Sequence, residues 1–578
     1  MPCAHFLRTQ WFRLGLAVVF LLPWIAFGRS LFQDFAAIDD AFLIVNNPIV
    51  HGMDFWRIKL AFTTFDPELY IPFTLLSFQV NWVLGHGMPF LFHATNLLLH
   101  STNAVLVAMV FLQWTKSRRG ALTAALIFAV HPLNTEAVVW AAGRKDLLCT
   151  FFVLLTLISV QAWHDASRSR SILMICALLS LLSALLSKAL AVTLPAVLLL
   201  SVFVFGDSKR TRQAQIISLI GASALSALFV WIASSGKQQI LASSTLWETI
   251  VMAQKSAAFY IMKFLMPMNL TVIYPYQETI SLLQPTFFFS AVCTVALLVS
   301  AVWQRNRRPL LSFGILFYFI TLSPTFLNFH KGDLIFFAVD RYAYLPEIGL
   351  LLAGYAIISE LTCILSIRTR TASIAIVALL LLLSIGSMAQ TRVWDTPDSL
   401  FGRSIELYPE SVSARTALAN IFRDRNQLPE AFALVHEGAR VSNHPALNIE
   451  AGLIYSAAGQ VAEAREQFQL ALQKNEELAS AMYYLGFLDE HNGATASAEN
   501  WYRKAIASDP SYVTARVHLA RLLLEKHMDH EAEKQLDEAL RWNPVSVETL
   551  QAHVDLARAT GTSEDIDRWT ERLRDASL

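Results

Sequence analysis

The chain has 578 residues, 55% of them hydrophobic and only 16% charged, against roughly 25% charged in an average soluble domain. That composition excludes an ordinary soluble protein and describes one that lives largely in lipid. Lys+Arg and Asp+Glu balance at 45 each, so the charge gives no basic surface for nucleic acid, and no nucleic-acid partner is expected.

The N-terminal Arg8 and Arg13 precede an apolar run from Leu14 to Gly28. No small-residue cleavage site follows it and many apolar segments do, so it reads as a first membrane helix rather than a signal peptide. Crossing about 30 Å of hydrocarbon takes about 20 apolar residues in a helix. Stretches of that kind run over 90–115, 120–139, 147–163, 171–187, 189–206, 213–235, 286–304, 310–328, 348–366 and 371–391. Short basic clusters separate them: Lys116, Arg118 and Arg119; Arg168 and Arg170; Lys209, Arg210 and Arg212; Arg305, Arg307 and Arg308; Arg368 and Arg370. The positive-inside rule puts all five in the cytoplasm. Neighbouring clusters are then separated by two spans each, provided 249–276 does not cross, and 70–84 is read as a helix lying on the membrane. Eleven crossings result, with the N-terminus cytoplasmic and everything after Thr391 outside. Four of the five cysteines (Cys149, Cys176, Cys293, Cys363) lie in or beside apolar segments without metal-ligand spacing, and they read as small buried apolar residues.

Three stretches expected outside hold most of the ionisable groups, which are costly near a bilayer unless they line a wet cavity or find partners. In the first, AIDDAFLIVNNPIV places Asp39 and Asp40 side by side. Adjacent carboxylates on a loop suit a general base, a metal ligand or a helix cap. The second, HPLNTEAVVWAAGRKDLL, carries His131, Glu136, Arg144, Lys145 and Asp146. A helix over 135–140 would bring His131 and Glu136 near one face, and Arg144 with Lys145 offers a fork and a point charge to a phosphate. The third, FHKGDLIFFAVDRYAYLPEIG, carries His330, Lys331, Asp333, Asp340, Arg341 and Tyr344. Acid–base groups beside cations at a membrane surface suit group transfer from a phosphate-bearing lipid. Structural salt bridges between loops would use the same residues.

After Trp394 the sequence becomes charged and alanine-rich, and a period appears. Small residues recur at Ser404, Gly438, Ala471, Ala505 and Ala539, spaced by 34, 33, 34 and 34, with Pro409, Pro510 and Pro544 each five residues after one of them. This is the tetratricopeptide period, in which helical hairpins stack into a solenoid through small packing residues. The expected fold class is therefore all-α: a polytopic helical membrane domain over 1–393, followed by a tetratricopeptide-repeat solenoid over 394–578.

The motif from His131 to Leu148 resembles the His-Pro through Gly-Arg-Lys/Ala-Asp-Leu-Leu motif of the transmembrane and tetratricopeptide-repeat O-mannosyltransferases and their bacterial relatives, glycosyltransferases of the GT-C superfamily. IDDAFLIVNNPIV is similar to that family's first-loop acidic motif, the segment from Glu68 to Val107 to the one after it, and VDRYAYLPEIG to its Glu-Arg-Tyr-Leu-Tyr-Leu-Pro motif. Asp340 stands where the family usually has Glu, and Ala343 replaces a larger apolar residue. The resemblance implies an outward-facing site that takes a polyprenyl-phosphate or dolichyl-phosphate sugar and passes the sugar to an acceptor hydroxyl. By motif position it implies Asp39 or Asp40 as base, and Arg144, Lys145 and Arg341 around the donor phosphate. His131, Glu136, Asp146, His330, Lys331, Asp340 and Tyr344 would support them. A divalent metal is possible there but not required, since Asp39 and Asp40 alone lack a full set of oxygen ligands, and no metal site is assigned. The repeats would bind a protein acceptor or partner, in the periplasm or the endoplasmic-reticulum lumen. A membrane-anchored repeat scaffold is the rival reading, but an anchor needs no acidic pair at a lipid surface. A transporter would instead show broken helices in matching halves.

Overall fold

A computed structural model describes residues 2–65, 70–165, 170–205, 209–236, 245–276, 279–327, 330–331, 334–366 and 368–577. Arg168 and Asp333 lie outside the described residues, as do the side chains of Arg8, Arg170, Lys209, Arg210, Arg212, His330 and Lys331. The chain divides into two units, one of Met1–Val45 and Glu68–Leu400 and the other of Asn46–Pro67 and Phe401–Leu578. The sequence reading keeps all of 1–393 in one domain. The structure instead groups the segment just after the acidic pair with the repeat helices.

The first unit is a helical bundle. Six of its described helices are long and apolar enough to cross a membrane: Pro89–Thr115, Ala141–Trp163, Pro285–Gln304, Pro309–Leu327, Glu347–Ile364 and Thr369–Val393. Arg118–Val130 with Pro132–Val139 forms a further pair, bent by 52° where His131-Pro132 interrupts the hydrogen-bond ladder. Shorter apolar helices occupy Gln10–Ala26, Ser171–Ser187, Ala189–Phe205 and Ile216–Ile232. These are the segments marked by the hydropathy of the sequence. Helices Pro72–Gly85 and Leu246–Leu265 fall outside that set.

Without a hydrophobic force between helices in lipid, close packing falls to small residues. A Cβ on Gly314 would lie 2.6 Å from the carbonyl oxygen of Gly349, and one on Gly349 would lie 2.5 Å from that of Gly314, so these two helices meet backbone to backbone. Cys149 is buried, as expected, whereas Cys176, Cys293 and Cys363 are exposed on the bundle's outer surface. An apolar thiol is as well placed facing lipid as facing protein, which composition cannot distinguish.

The third loop contains an element absent from the sequence reading. Leu334–Ala338 pairs antiparallel with both Tyr274–Pro275 and His330–Lys331 in a small three-stranded sheet. Tyr260 fixes its exit, donating to the Val339 carbonyl at 2.9 Å and accepting from the Val339 N–H at 3.0 Å.

In the second unit, antiparallel helices alternate from Val412–Asp424 to Ser563–Ser577. Ser404, Ala471, Ala505 and Ala539 are fully buried. A Cβ on Gly486 would lie 2.8 Å from the Tyr502 ring, and one on Gly452 2.5 Å from Phe468, so each glycine admits an aromatic from the next helix. The turns inside successive hairpins place Asn426, Gly459, Gly493 and His527 at positive φ, at nearly the same period as the small residues. The segment Asn46–Pro67 joins this unit through Arg57. Its guanidinium donates to the Asp575 carbonyl at 2.8 Å and to the Pro48 carbonyl at 3.0 Å, and pairs with Asp54 at 2.5 Å.

Candidate functional site

The bend between Val130 and Arg144 is built from short helices, Pro132–Asn134, Thr135–Val139 and Ala141–Gly143, before the long helix begins at Arg144. Gly143 makes the last turn possible, since a Cβ there would sit 2.5 Å from the Ala137 carbonyl oxygen. His131 caps the start of the bend. Its Nδ1 accepts from the Leu133 N–H at 3.3 Å, its Nε2 is 3.0 Å from the Phe264 carbonyl, and its ring stacks on Phe264.

Three cation–carboxylate pairs converge on this bend. Lys145 lies 3.6 Å from Asp39, Arg341 pairs with Glu136, and Lys188 pairs with Asp146. Two aromatic rings join the cations: Trp140 carries Lys145 at 4.5 Å and Arg341 at 4.8 Å from its centroid, and Tyr342 carries Arg341 and Lys188, both at 5.3 Å. Glu136 also accepts from the backbone N–H of Arg341 at 3.0 Å. Among all these charged groups Asp39 is the most open, with 45% of its side chain exposed.

The two members of the acidic pair have different environments. Asp40 is fully buried, and its oxygens accept from the Ala36 N–H and the Ala142 N–H, both at 2.8 Å. It therefore ties the first loop to the second. Burial pushes its carboxyl up to about 7, although both backbone hydrogen bonds pull the other way.

Arg144 also differs from expectation. It is wholly buried, and its side chain donates to Asn96 Oδ1 at 2.9 Å, the Ser77 carbonyl at 3.2 Å, the Phe92 carbonyl at 2.7 Å and Asn81 Oδ1. Phe78 and Phe92 flank the guanidinium at 5.0 and 5.4 Å. A guanidinium enclosed and occupied in this way holds protein rather than offering a fork to a ligand. It grips helices Pro72–Gly85 and Pro89–Thr115, and Asn96 in turn donates to the Trp140 carbonyl at 2.8 Å.

Asp340 and Tyr344 are held by other partners. Asp340 is buried, accepts from the Tyr274 hydroxyl at 2.8 Å, and is held well above the usual carboxylate range by burial and then by Glu136. Tyr344 is buried between His100 Nδ1 at 2.7 Å and the Asn103 amide, which donates to it at 3.2 Å. His330 and Lys331 lie on the short strand of the third loop. Among the described residues no group of three or more His, Cys, Asp or Glu is placed to hold a metal ion.

Sequence reasoning missed Lys188, Asn96 and Trp140. Lys188 is visible as the single charge splitting two apolar segments, where it served only as a span boundary. Trp140 lies inside the quoted motif but is not ionisable, so a search for ionisable groups passes over it.

A tetratricopeptide-repeat family model matches residues 489–554. Protein O-mannosyl-transferase F38B6.6 of Caenorhabditis elegans is 26% identical over 457 residues, covering 73% of this chain and 62% of that protein. Protein O-mannosyl-transferase TMTC1 of Homo sapiens is 27% identical over 477 residues, covering 70% and 53%. Protein O-mannosyl-transferase TMTC4 of Homo sapiens is 38% identical over 168 residues, covering 25% and 22%. The matches span 22% to 62% of the length of these curated relatives. The chain is thus similar in sequence to TMTC-type protein O-mannosyl-transferases, and it combines a polytopic helical unit with tetratricopeptide repeats.

Proposed function

We propose that this protein is an integral membrane glycosyltransferase that moves a sugar from a polyprenyl-phosphate or dolichyl-phosphate donor to a hydroxyl group of a protein, on the non-cytoplasmic face. The observation that carries the reading is the cluster around Trp140, where Lys145 and Arg341 stand beside the half-exposed Asp39. The similarity to O-mannosyl-transferases supports the reaction class and a mannosyl group.

In this reaction the acceptor oxygen attacks the anomeric carbon as the bond from that carbon to the phosphate oxygen breaks. The phosphate leaves with the bonding electron pair. Because that leaving group is weakly basic, the main requirements are a base for the acceptor proton and positive charge for the departing phosphate. Asp39 is the group open to an acceptor, and it takes the proton. Asp40, with both oxygens committed to backbone N–H groups, positions the loop instead. Lys145 and Arg341 hold the phosphate. Arg144, enclosed among protein acceptors, keeps the bend in place.

Lys145 also links donor binding to the base. It lies 3.6 Å from Asp39, so a phosphate arriving at Lys145 competes with that carboxylate for the ammonium group and releases Asp39 toward the acceptor. Donor binding thereby precedes acceptor activation.

The test is transfer of a labelled sugar from a polyprenyl-phosphate donor by purified variants. Asp39→Asn keeps the shape of the side chain and loses its basicity, so turnover is expected to fall by roughly 100-fold or more with donor affinity nearly unchanged. Parent-like transfer by a folded Asp39→Asn would remove Asp39 from the chemistry. If Lys145→Met and Arg341→Ala also bind donor and transfer sugar normally, the charged cluster is a set of structural salt bridges and the scaffold reading takes over.

A further inference from the structure

Trp140 is among the largest fully buried side chains of the protein, yet its indole Nε1 has no hydrogen-bond partner among the described residues. A buried tryptophan N–H usually finds an acceptor, and an orphan calls for an explanation. Arg341, whose guanidinium lies 4.8 Å from the same ring, has a second orphan: its Nε is buried and unpartnered while its Nη1 is held by Glu136. Two donors without acceptors thus sit on residues in contact with each other, and Lys145 lies 4.5 Å from the same ring, so unsatisfied N–H groups and positive charge share one neighbourhood.

The backbone around Trp140 is fixed, so the orphan is not a product of slack. The Trp140 N–H donates to the Glu136 carbonyl at 3.3 Å, and its carbonyl accepts from the Gly143 N–H at 3.0 Å and the Asn96 amide at 2.8 Å. Asn96 is itself held by the buried Arg144.

Resting on the donor reading above, we infer that Trp140 is a donor-binding residue: its indole N–H and the Nε–H of Arg341 donate to oxygens of the donor's phosphate. The ligand class is a phosphate ester, and the lipid-linked form is the assignment made here. Arg144 then acts as a positioning residue, through Asn96, on the orientation of Trp140.

The experiment measures binding of a short-chain polyprenyl phosphate to the full-length protein in detergent micelles, with the matching polyprenol as a phosphate-free control. Trp140→Phe keeps an aromatic face and loses the N–H together with the five-membered part of the indole, so affinity for the phosphate is expected to fall about tenfold or more while polyprenol binding is unchanged. Arg341→Lys keeps the charge and drops the Nε–H, and is expected to weaken phosphate binding as well. It carries the test if the tryptophan variant does not fold. Phosphate binding equal to the parent in either folded variant overturns the inference. If Arg341→Ala nevertheless abolishes binding, the donor site itself stands and only the orphan donors were misassigned. If Arg341→Ala binds normally too, the donor reading fails with it. Inorganic phosphate competing as strongly as the lipid would assign the site to a free anion and overturn the lipid assignment.

Discussion

Asp40 shows how a residue's neighbours override its identity. As a free side chain it is equivalent to Asp39, but burial holds its carboxyl up at about 7 rather than at 3.8. Because the folded chain binds this proton more tightly than the unfolded chain, the resulting stability is present in full below about pH 4 and is lost as pH rises through about 7. Thermal melting in detergent is expected to show that component in the parent and to lose it in Asp40→Asn. The variant should also melt lower at neutral pH, since the amide nitrogen must face either the Ala36 or the Ala142 N–H, at a cost of roughly 1–3 kcal/mol. Superimposable pH profiles for the two proteins would show that burial does not shift this carboxyl.

At the scale of the element, the repeat turns isolate one backbone effect. Asn426, Gly459 and Gly493 are residues that tolerate positive φ, whereas His527 adopts φ 57 at the matching turn with a full side chain. His527 is exposed, so replacing it removes no core packing. His527→Gly is expected to stabilise the second unit by about 0.5–1 kcal/mol in denaturant unfolding, despite the extra freedom gained by the unfolded chain. A lower midpoint in His527→Gly would mean that the imidazole contributes more than its strained backbone costs. The small-residue period announced the hairpins, but the positive-φ period is equally present in the sequence as Asn, Gly, Gly and His. The histidine disguised it.

For the molecule as a whole, the orientation proposed for the catalytic chemistry rests on the basic clusters, because no helix direction in the bundle specifies which side is which. The proposed cytoplasmic placement of the clusters puts the repeats on the opposite side. Asn492→Cys places a thiol at an exposed hairpin turn. It is expected to react with an impermeant reagent added from the non-cytoplasmic side, after permeabilisation of any outer envelope. Labelling only after the inner membrane is broken would reverse the orientation, and with it the side on which the donor is used.

Hydropathy and period determined the apolar helices, the repeats and the three charged loops, since one-dimensional spacing of apolar and small residues is enough to specify helix faces and hairpins. The loop residues were found by charge, but their roles were not legible. Arg144 and Lys145 are neighbours in sequence and both buried, yet one is held by Asn81, Asn96 and Phe92 while the other faces Asp39. Asp39 and Asp40 divide by burial, the first half-exposed and the second enclosed. Adjacent residues enter different surroundings once a chain bends, and burial together with the donors and acceptors brought from distant segments fixes what each charge can do. Those neighbours, including Lys188 from 42 residues beyond Asp146, came from tertiary structure alone.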